Sequence, residues 1–258
     1  MRLRGKIILK GLGLHTGREC EAEIEGCDSP EVLMNGFPLR ELSLSGTNRG
    51  SDYIFPDGSR VKTCEHVLSA LAGLGFWSGV NITVRGGEMP ALDGCSREVC
   101  NELLRNSEAE DKREALNVRE AVSVYGEDTS RFVAALPYDG FRITYIVEYK
   151  FIGAQVFDYT GGYYEDISCA RTFAMASDIE YLRSHGMALG GSLDNAIVVG
   201  EEIQAKGGLH WPDEFVRHKV LDLIGDLAAV GRPVNAHIIA VKAGHELHLK
   251  LAEKLRGA

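Results

Sequence analysis

The chain has 258 residues, 45% hydrophobic and 25% charged, which is ordinary for a soluble globular protein with room for one large domain or two small ones. A formal net charge of −9 removes any global electrostatic case for nucleic-acid binding, although a few local cations suffice to hold a phosphate. Six cysteines without a Cys-x-x-Cys pair, no apolar run of about 18 residues, and an N-terminal stretch broken by Lys10 and glycines predict a cytoplasmic protein with reduced thiols, no signal peptide and no transmembrane span.

Residues 18–25 alternate, with Cys20, Ala22 and Ile24 on one side, which predicts a half-buried strand. Thr63 is placed to cap a helix that runs from Glu65 to Leu74 and ends at Gly75. A strand at 80–85 and a helix at 97–106 follow. The polar stretch 106–114 reads as an exposed linker between two α+β halves, residues 1–106 and 115–258. In the second half, strands are predicted at 118–124, 131–136, 142–149, 195–199 and 235–242, with a helix at 177–185. Pro212-Asp213 opens a long helix, 214–230, stopped by Gly231 and Pro233, and residues 245–256 form the last helix. No sequence repeat relates the halves.

The helix 214–230 carries two contrasting faces. With His218 at zero and about 100° per residue, Asp222 falls near 40°, Asp226 near 80° and Lys219 near 100°, while Val216, Val220, Leu223 and Leu227 gather opposite. A His and an Asp four residues apart can reach one metal ion; the plainer reading is a solvated face with i,i+4 charge pairs. Phe215 in the middle of the polar stripe argues against full solvation. At the mouth of the first helix, Glu65 and His66 point about 100° apart and could flank one water, or be a dipole-favoured Glu beside an incidental His. Gly244-His245 follows a strand end, where a His is well placed to act in a cleft, and Lys242 stands just before it. His237 and His248 have no such company and read as structural or exposed. If His66, His218 and Asp222 close on one ion, three protein ligands leave a fourth position open, the pattern of a catalytic site. Glu65 and His245 then supply the base and acid that amide hydrolysis needs.

Eight segments together point to a family. They are Gly11-Leu-Gly-Leu-His15-Thr-Gly17, Thr63-Cys64-Glu65-His66, Glu88-Met-Pro-Ala-Leu-Asp93-Gly94, Ala170-Arg171-Thr172-Phe173, Asp178-Ile-Glu-Tyr-Leu182, the run Leu189–Val199, Phe215-Val-Arg-His218-Lys219-Val-Leu-Asp222-Leu-Ile-Gly-Asp226-Leu227, and Gly244-His245. In this order they resemble the LpxC family, the UDP-3-O-acyl-N-acetylglucosamine deacetylases of lipid A synthesis. The resemblance implies Zn²⁺ held by His66, His218 and Asp222 (Fe²⁺ suits the same donors), with Glu65 as base. It implies that His245, as an imidazolium, protonates the leaving amine or steadies the oxyanion, with Asp226 oriented towards it, and that Thr172 hydrogen-bonds the oxyanion. Lys219 and Lys242 would face the UDP portion, Phe173 would line an acyl passage, and His15 would lie close by. The implied fold is two similar α+β domains whose helices are sandwiched between two outer sheets, each domain with an insert: one near 48–62, the other about 174–203. Phe173, Met175, Ile179, Leu182, Met187, Leu189, Ile197 and Val199 supply the second insert's apolar side chains. The implied partner is an acylated UDP-sugar, and a monomer is expected. Phe76-Trp77-Ser78-Gly79 and Cys95 depart from the family pattern. They motivate a second reading, a paralogue acting on another N-acetylated sugar nucleotide. A third is a non-catalytic nucleotide- or metal-binding protein on the same scaffold.

Overall fold

The computed structural model describes residues 1–47, 49–109 and 113–257. The first half comprises β1 (Arg2–Leu3), β2 (Lys6–Leu12), β3 (Glu19–Gly26), β4 (Val32–Met34), β5 (Phe37–Pro38), β6 (Ser43–Thr47), β7 (Gly50–Ile54), β8 (Arg60–Val61), α1 (Glu65–Leu74), β9 (Val80–Arg85), α2 (Arg97–Arg105) and β10 (Ser107–Glu108). The second comprises β11 (Leu116–Asn117), β12 (Val122–Tyr125), β13 (Phe132–Leu136), β14 (Phe141–Tyr149), β15 (Gly153–Tyr159), α3 (Tyr163–Asp166), β16 (Phe173–Met175), α4 (Ile179–Ser184), β17 (Ile197–Val199), β18 (Ile203–Gln204), α5 (Glu214–Leu227), β19 (Val234–Val241) and α6 (His245–Arg256).

The two large sheets share one plan. Their orders are β2-β3-β9-β4-β5 and β12-β13-β19-β14-β15. In each, an antiparallel pair is joined by the strand that follows the long helix; that strand pairs in parallel with one strand of a hairpin, whose second strand forms the edge. The halves therefore repeat as an order of elements, although no residue pattern repeats. Each insert falls before the long helix: β6–β8 in the first half, and the segment from α3 to β18 in the second. The α+β class and layered arrangement agree with expectation. Among the described residues, no helix is long and apolar enough to cross a membrane.

Between the sheets, α2 packs on β2, α5 on β14 and β15, α6 on β12 and β13, and α1 against α5. The α1–α5 crossing is close. Ser69 Oγ donates to the Leu221 carbonyl over 2.7 Å, and a Cβ at position 225 would lie 2.0 Å from the Glu65 carbonyl oxygen. Only glycine fits there. That approach brings the first turn of α1, with Glu65 and His66, against the middle of α5. One apolar cluster runs through both halves, with Leu68 and Leu71 of α1 and Val220 and Leu223 of α5 among its members.

Several boundaries and one cap differ from the sequence reading. The opening residues form β2, whose lysines answer glutamates on β3: Lys6 meets Glu23 at 2.6 Å and Lys10 meets Glu21 at 2.9 Å. Residues 118–124 are not one strand, because the chain pairs with β19 at Leu116–Asn117 and with β13 only from Val122. Thr63 does not cap α1. It sits at φ +56° and donates instead to Glu88 Oε1 at 3.0 Å, while Cys64 takes the cap position. The first insert begins earlier than position 48, at Ser43, because β6 pairs with β7; Asn48 lies outside the described residues. In the stretch 106–114, Ser107–Glu108 pairs with β1, and residues 110–112 lie outside the described residues. All six cysteines are free thiols.

Candidate active site

The polar stripe of α5 is buried, not solvated: His218, Asp222 and Asp226 are each at most 2% exposed. His66 reaches it from α1. Nε2 of His66 lies 3.6 Å, and Nε2 of His218 3.3 Å, from Asp222 Oδ1. One ligand atom from each of these three residues lies within 4.8 Å of the others, which is the spacing of a metal site. Two details support that use. Asp222 Oδ1 is buried without a hydrogen-bond partner, a costly state unless something else satisfies it. His218 Nδ1 lies 3.0 Å from the Ala170 carbonyl, an acceptor that fixes the proton there and leaves the Nε2 lone pair facing the other donors. Burial pushes His218 down to about 3, so the ring is neutral, as a ligand must be. Burial opposes the charge of Asp222, yet the Lys219 ammonium and the charged His245 ring beside it hold its carboxyl well below the usual range.

Glu65 stands beside this cluster. Its Oε2 accepts from the Ser51 amide at 2.9 Å and the Ser51 hydroxyl at 2.8 Å, so β7 pins the carboxylate in one orientation. Its Oε1 is 3.9 Å from His245 Nε2. His245, the first residue of α6, puts Nδ1 2.9 Å from Asp226 Oδ2 and Nε2 3.7 Å from Asp222 Oδ2. Burial works against an imidazolium, but Asp226, Asp222 and Glu65 outweigh it and raise His245 to about 9. Behind Asp226, His248 Nδ1 lies 2.8 Å from the same Oδ2, and its Nε2 lies 2.9 Å from the Tyr145 hydroxyl.

Glu65, His66, His218, Asp222 and His245 line a cavity of about 700 Å³. Its lining includes Thr172 and Lys219 as well, together with Arg131 and Gly244. Phe173 and, from the second insert, Met175, Ile179, Leu182, Leu193 and Val198 also line it, together with the charged Asp178 and Arg183. Phe173 stacks edge-on against Phe215 and Tyr149, with the Lys219 ammonium 5.4 Å from its ring centre. Lys219 Nζ also donates to Asp222 Oδ2 at 2.9 Å. His15 lines the same space, its Nε2 3.1 Å from the Arg49 carbonyl. Lys242 is not among the cavity's lining residues; it is exposed and ion-paired with Glu148. Ile197 and Val199 pack into a small buried cluster with Phe215, while Val198 between them faces the cavity. Met187 and Leu189 do not line it either.

Four contributors escaped the sequence reading. The Ala170 carbonyl acts through backbone geometry, which carries no residue-type signal, and Ser51, which uses both its amide and its hydroxyl, meets Glu65 only through the fold. His248 was legible as a partner of His245 three residues away on one helix face. Glu88 lay inside a recognised segment, but its work appears only in space: it accepts from the amides of His15 and Thr16 at 2.8 and 2.9 Å and from two threonine hydroxyls, tying the loop at 13–16 to α1.

Residues 1–257 match the family described as LpxC, UDP-3-O-acyl N-acetylglycosamine deacetylase. A protein of Nitratidesulfovibrio vulgaris called UDP-3-O-acyl-N-acetylglucosamine deacetylase is 43% identical, over 95% of this chain and 84% of its own length. Proteins of the same name from Myxococcus xanthus and Aquifex aeolicus are 42% and 36% identical, over 96% and 98% of this chain and 83% and 91% of theirs.

Proposed function

The chain belongs to the LpxC family of UDP-3-O-acyl-N-acetylglucosamine deacetylases, and from that premise we propose that it hydrolyses the N-acetyl group of UDP-3-O-(3-hydroxyacyl)-N-acetylglucosamine. The products are UDP-3-O-acyl-glucosamine and acetate, within lipid A synthesis. The observation that carries this reading is one cavity lined both by a three-donor metal cluster, a pinned carboxylate and a charged imidazole and by apolar side chains of the second insert.

His66, His218 and Asp222 would hold a divalent ion, which we take to be zinc. When bound it lowers the pKa of a water and polarises the amide carbonyl. Glu65 Oε1 takes a proton from the attacking water, its other oxygen being held by Ser51. His245 enters the reaction protonated. Asp226 holds its Nδ1, and Nε2 gives its proton to the leaving sugar nitrogen. The Thr172 hydroxyl donates to the oxyanion as it develops. Lys219 keeps Asp222 oriented and presents positive charge to the substrate, with Lys242 acting farther out at the UDP end. Phe173 and the insert from 174 to 203 receive the acyl chain, and His15 supports the wall they form. The same reading makes the protein a cytoplasmic monomer.

Acetate release measured on protein stripped by a chelator and then repleted with zinc tests this reading. Activity should vanish on stripping and return with one equivalent of metal. Full activity in metal-free protein would overturn the assignment of the three donors.

A further inference from the structure

Two segments from different halves of the chain run side by side behind Thr172. The Thr172 amide donates to the Gly94 carbonyl at 2.8 Å, and the Ser96 amide and hydroxyl donate to the Ser168 carbonyl at 2.9 and 3.2 Å. Cys95 and Cys169 sit inside this clamp. Cys95 Sγ donates to Asp93 Oδ1 at 3.2 Å and accepts from the Arg97 amide at 3.4 Å, and the Cys169 sulfur beside it is a second acceptor for the same thiol. The paired backbones on either side hold the two cysteines next to each other.

The two thiols are unequal. The hydrogen bond from Cys95 is the largest influence on Cys169; with the Arg97 guanidinium and His210 it outweighs partial burial and lowers that thiol to about 6. Cys169 is thus a thiolate at neutral pH, and it is half-buried, within reach of a small oxidant. Cys95 is buried, with its thiol held protonated by the contact with Cys169 and by burial. Cys27 is equally half-buried, but burial raises its thiol.

We propose that Cys95 and Cys169 form a redox pair that a peroxide closes to a disulfide and a thiol reductant reopens. The Cys169 thiolate attacks one peroxide oxygen, the O–O bond breaks, and a sulfenic acid and hydroxide result; the hydroxide takes a proton and leaves as water. Cys95 then gives up its proton and attacks the sulfenic sulfur, forming the S–S bond and releasing a second water. Two electrons pass from the sulfurs to the peroxide. The closed bond staples the first half to the second across the segment that carries Ala170 and Thr172, and it shuts a long loop of chain.

The test uses the full, metal-loaded chain treated with a small excess of hydrogen peroxide, quenched by alkylation and mapped without reduction by mass spectrometry. The expected result is a cross-linked peptide pair containing Cys95 and Cys169, with the other four thiols still alkylated. Dithiothreitol should reverse it, and the oxidised form should melt about 5 °C or more higher. In Cys95→Ser, which lacks the resolving thiol, the same treatment should instead carry Cys169 to sulfinic acid. Sulfinic acid at Cys169 in the unaltered protein, a cross-link between other cysteines, or oxidation of Cys27 as fast as Cys169 would overturn the proposal.

Discussion

Gly225→Ala probes the contact on which the candidate site depends. The new Cβ would stand 2.0 Å from the Glu65 carbonyl oxygen, about 1.4 Å inside the 3.4 Å where ordinary contact begins. The obstructing atom is backbone, so no side-chain rotation relieves it, and α1 must move away from α5. Overpacking of this kind costs about 3 kcal/mol at the upper end of its usual range, against about 1 kcal/mol that alanine returns through helix propensity. The net loss of about 2 kcal/mol lowers the melting temperature by roughly 4–8 °C in a chain of this size. Because Glu65 and His66 ride on α1 while His218 and Asp222 ride on α5, a shift of about 1 Å also lowers turnover by about 100-fold. Thermal unfolding, metal content and initial rate on the same sample make the measurement. A variant as stable and as active as the parent would refute the claim that this crossing sets the site.

Glu65→Gln should retain metal in elemental analysis yet lose about 10²–10⁴ in turnover, because the change removes proton transfer and leaves the three donors intact. Asp222→Ala should lose the metal itself; a variant that retains it would contradict the donor assignment. Asp52 supplies a pH prediction: burial lifts its carboxyl from 3.8 to about 6, so the folded state holds a proton that the unfolded chain has released. Ionised Asp52 therefore costs stability, increasingly from pH 4 to 6 and in full above that, by at most about 3 kcal/mol with the attraction of Lys62 and Arg60 already included, and by less once solvent screening of its carboxyl is counted. Asp52→Asn should melt higher than the parent at pH 8 and equally at pH 4. A gain of the same size at both pH values would contradict that account.

Much of the fold was legible because its elements announce themselves locally. The alternation in Glu19–Gly26 and the stop at Gly75 with φ +86° place β3 and the end of α1 at the predicted positions, and α6 begins at His245 as expected. What escaped depends on partners distant in sequence. Lys10 looks like a break in an apolar run until Glu21 appears opposite it on β3. Thr63 looks like a helix cap until Glu88, 25 residues away, takes its hydroxyl. The candidate site follows the same division. His218, Asp222 and Asp226 share a face by helical spacing alone, but that this face is buried, and that His66 meets it, follows from the α1–α5 crossing. In the second insert, residue type nominated Ile197 and Val199 for the cavity, while strand alternation gives that place to Val198 and turns its neighbours into the packing around Phe215.

The central claim is deacetylation at the metal cluster, and mass spectrometry of UDP-3-O-(3-hydroxyacyl)-N-acetylglucosamine incubated with purified protein tests it most directly, with His218→Ala alongside. The account predicts that the unaltered protein removes one acetyl group from the sugar nitrogen and that the His218 variant leaves the substrate intact. Unchanged substrate with zinc-loaded protein, or equal turnover by the variant, would contradict it.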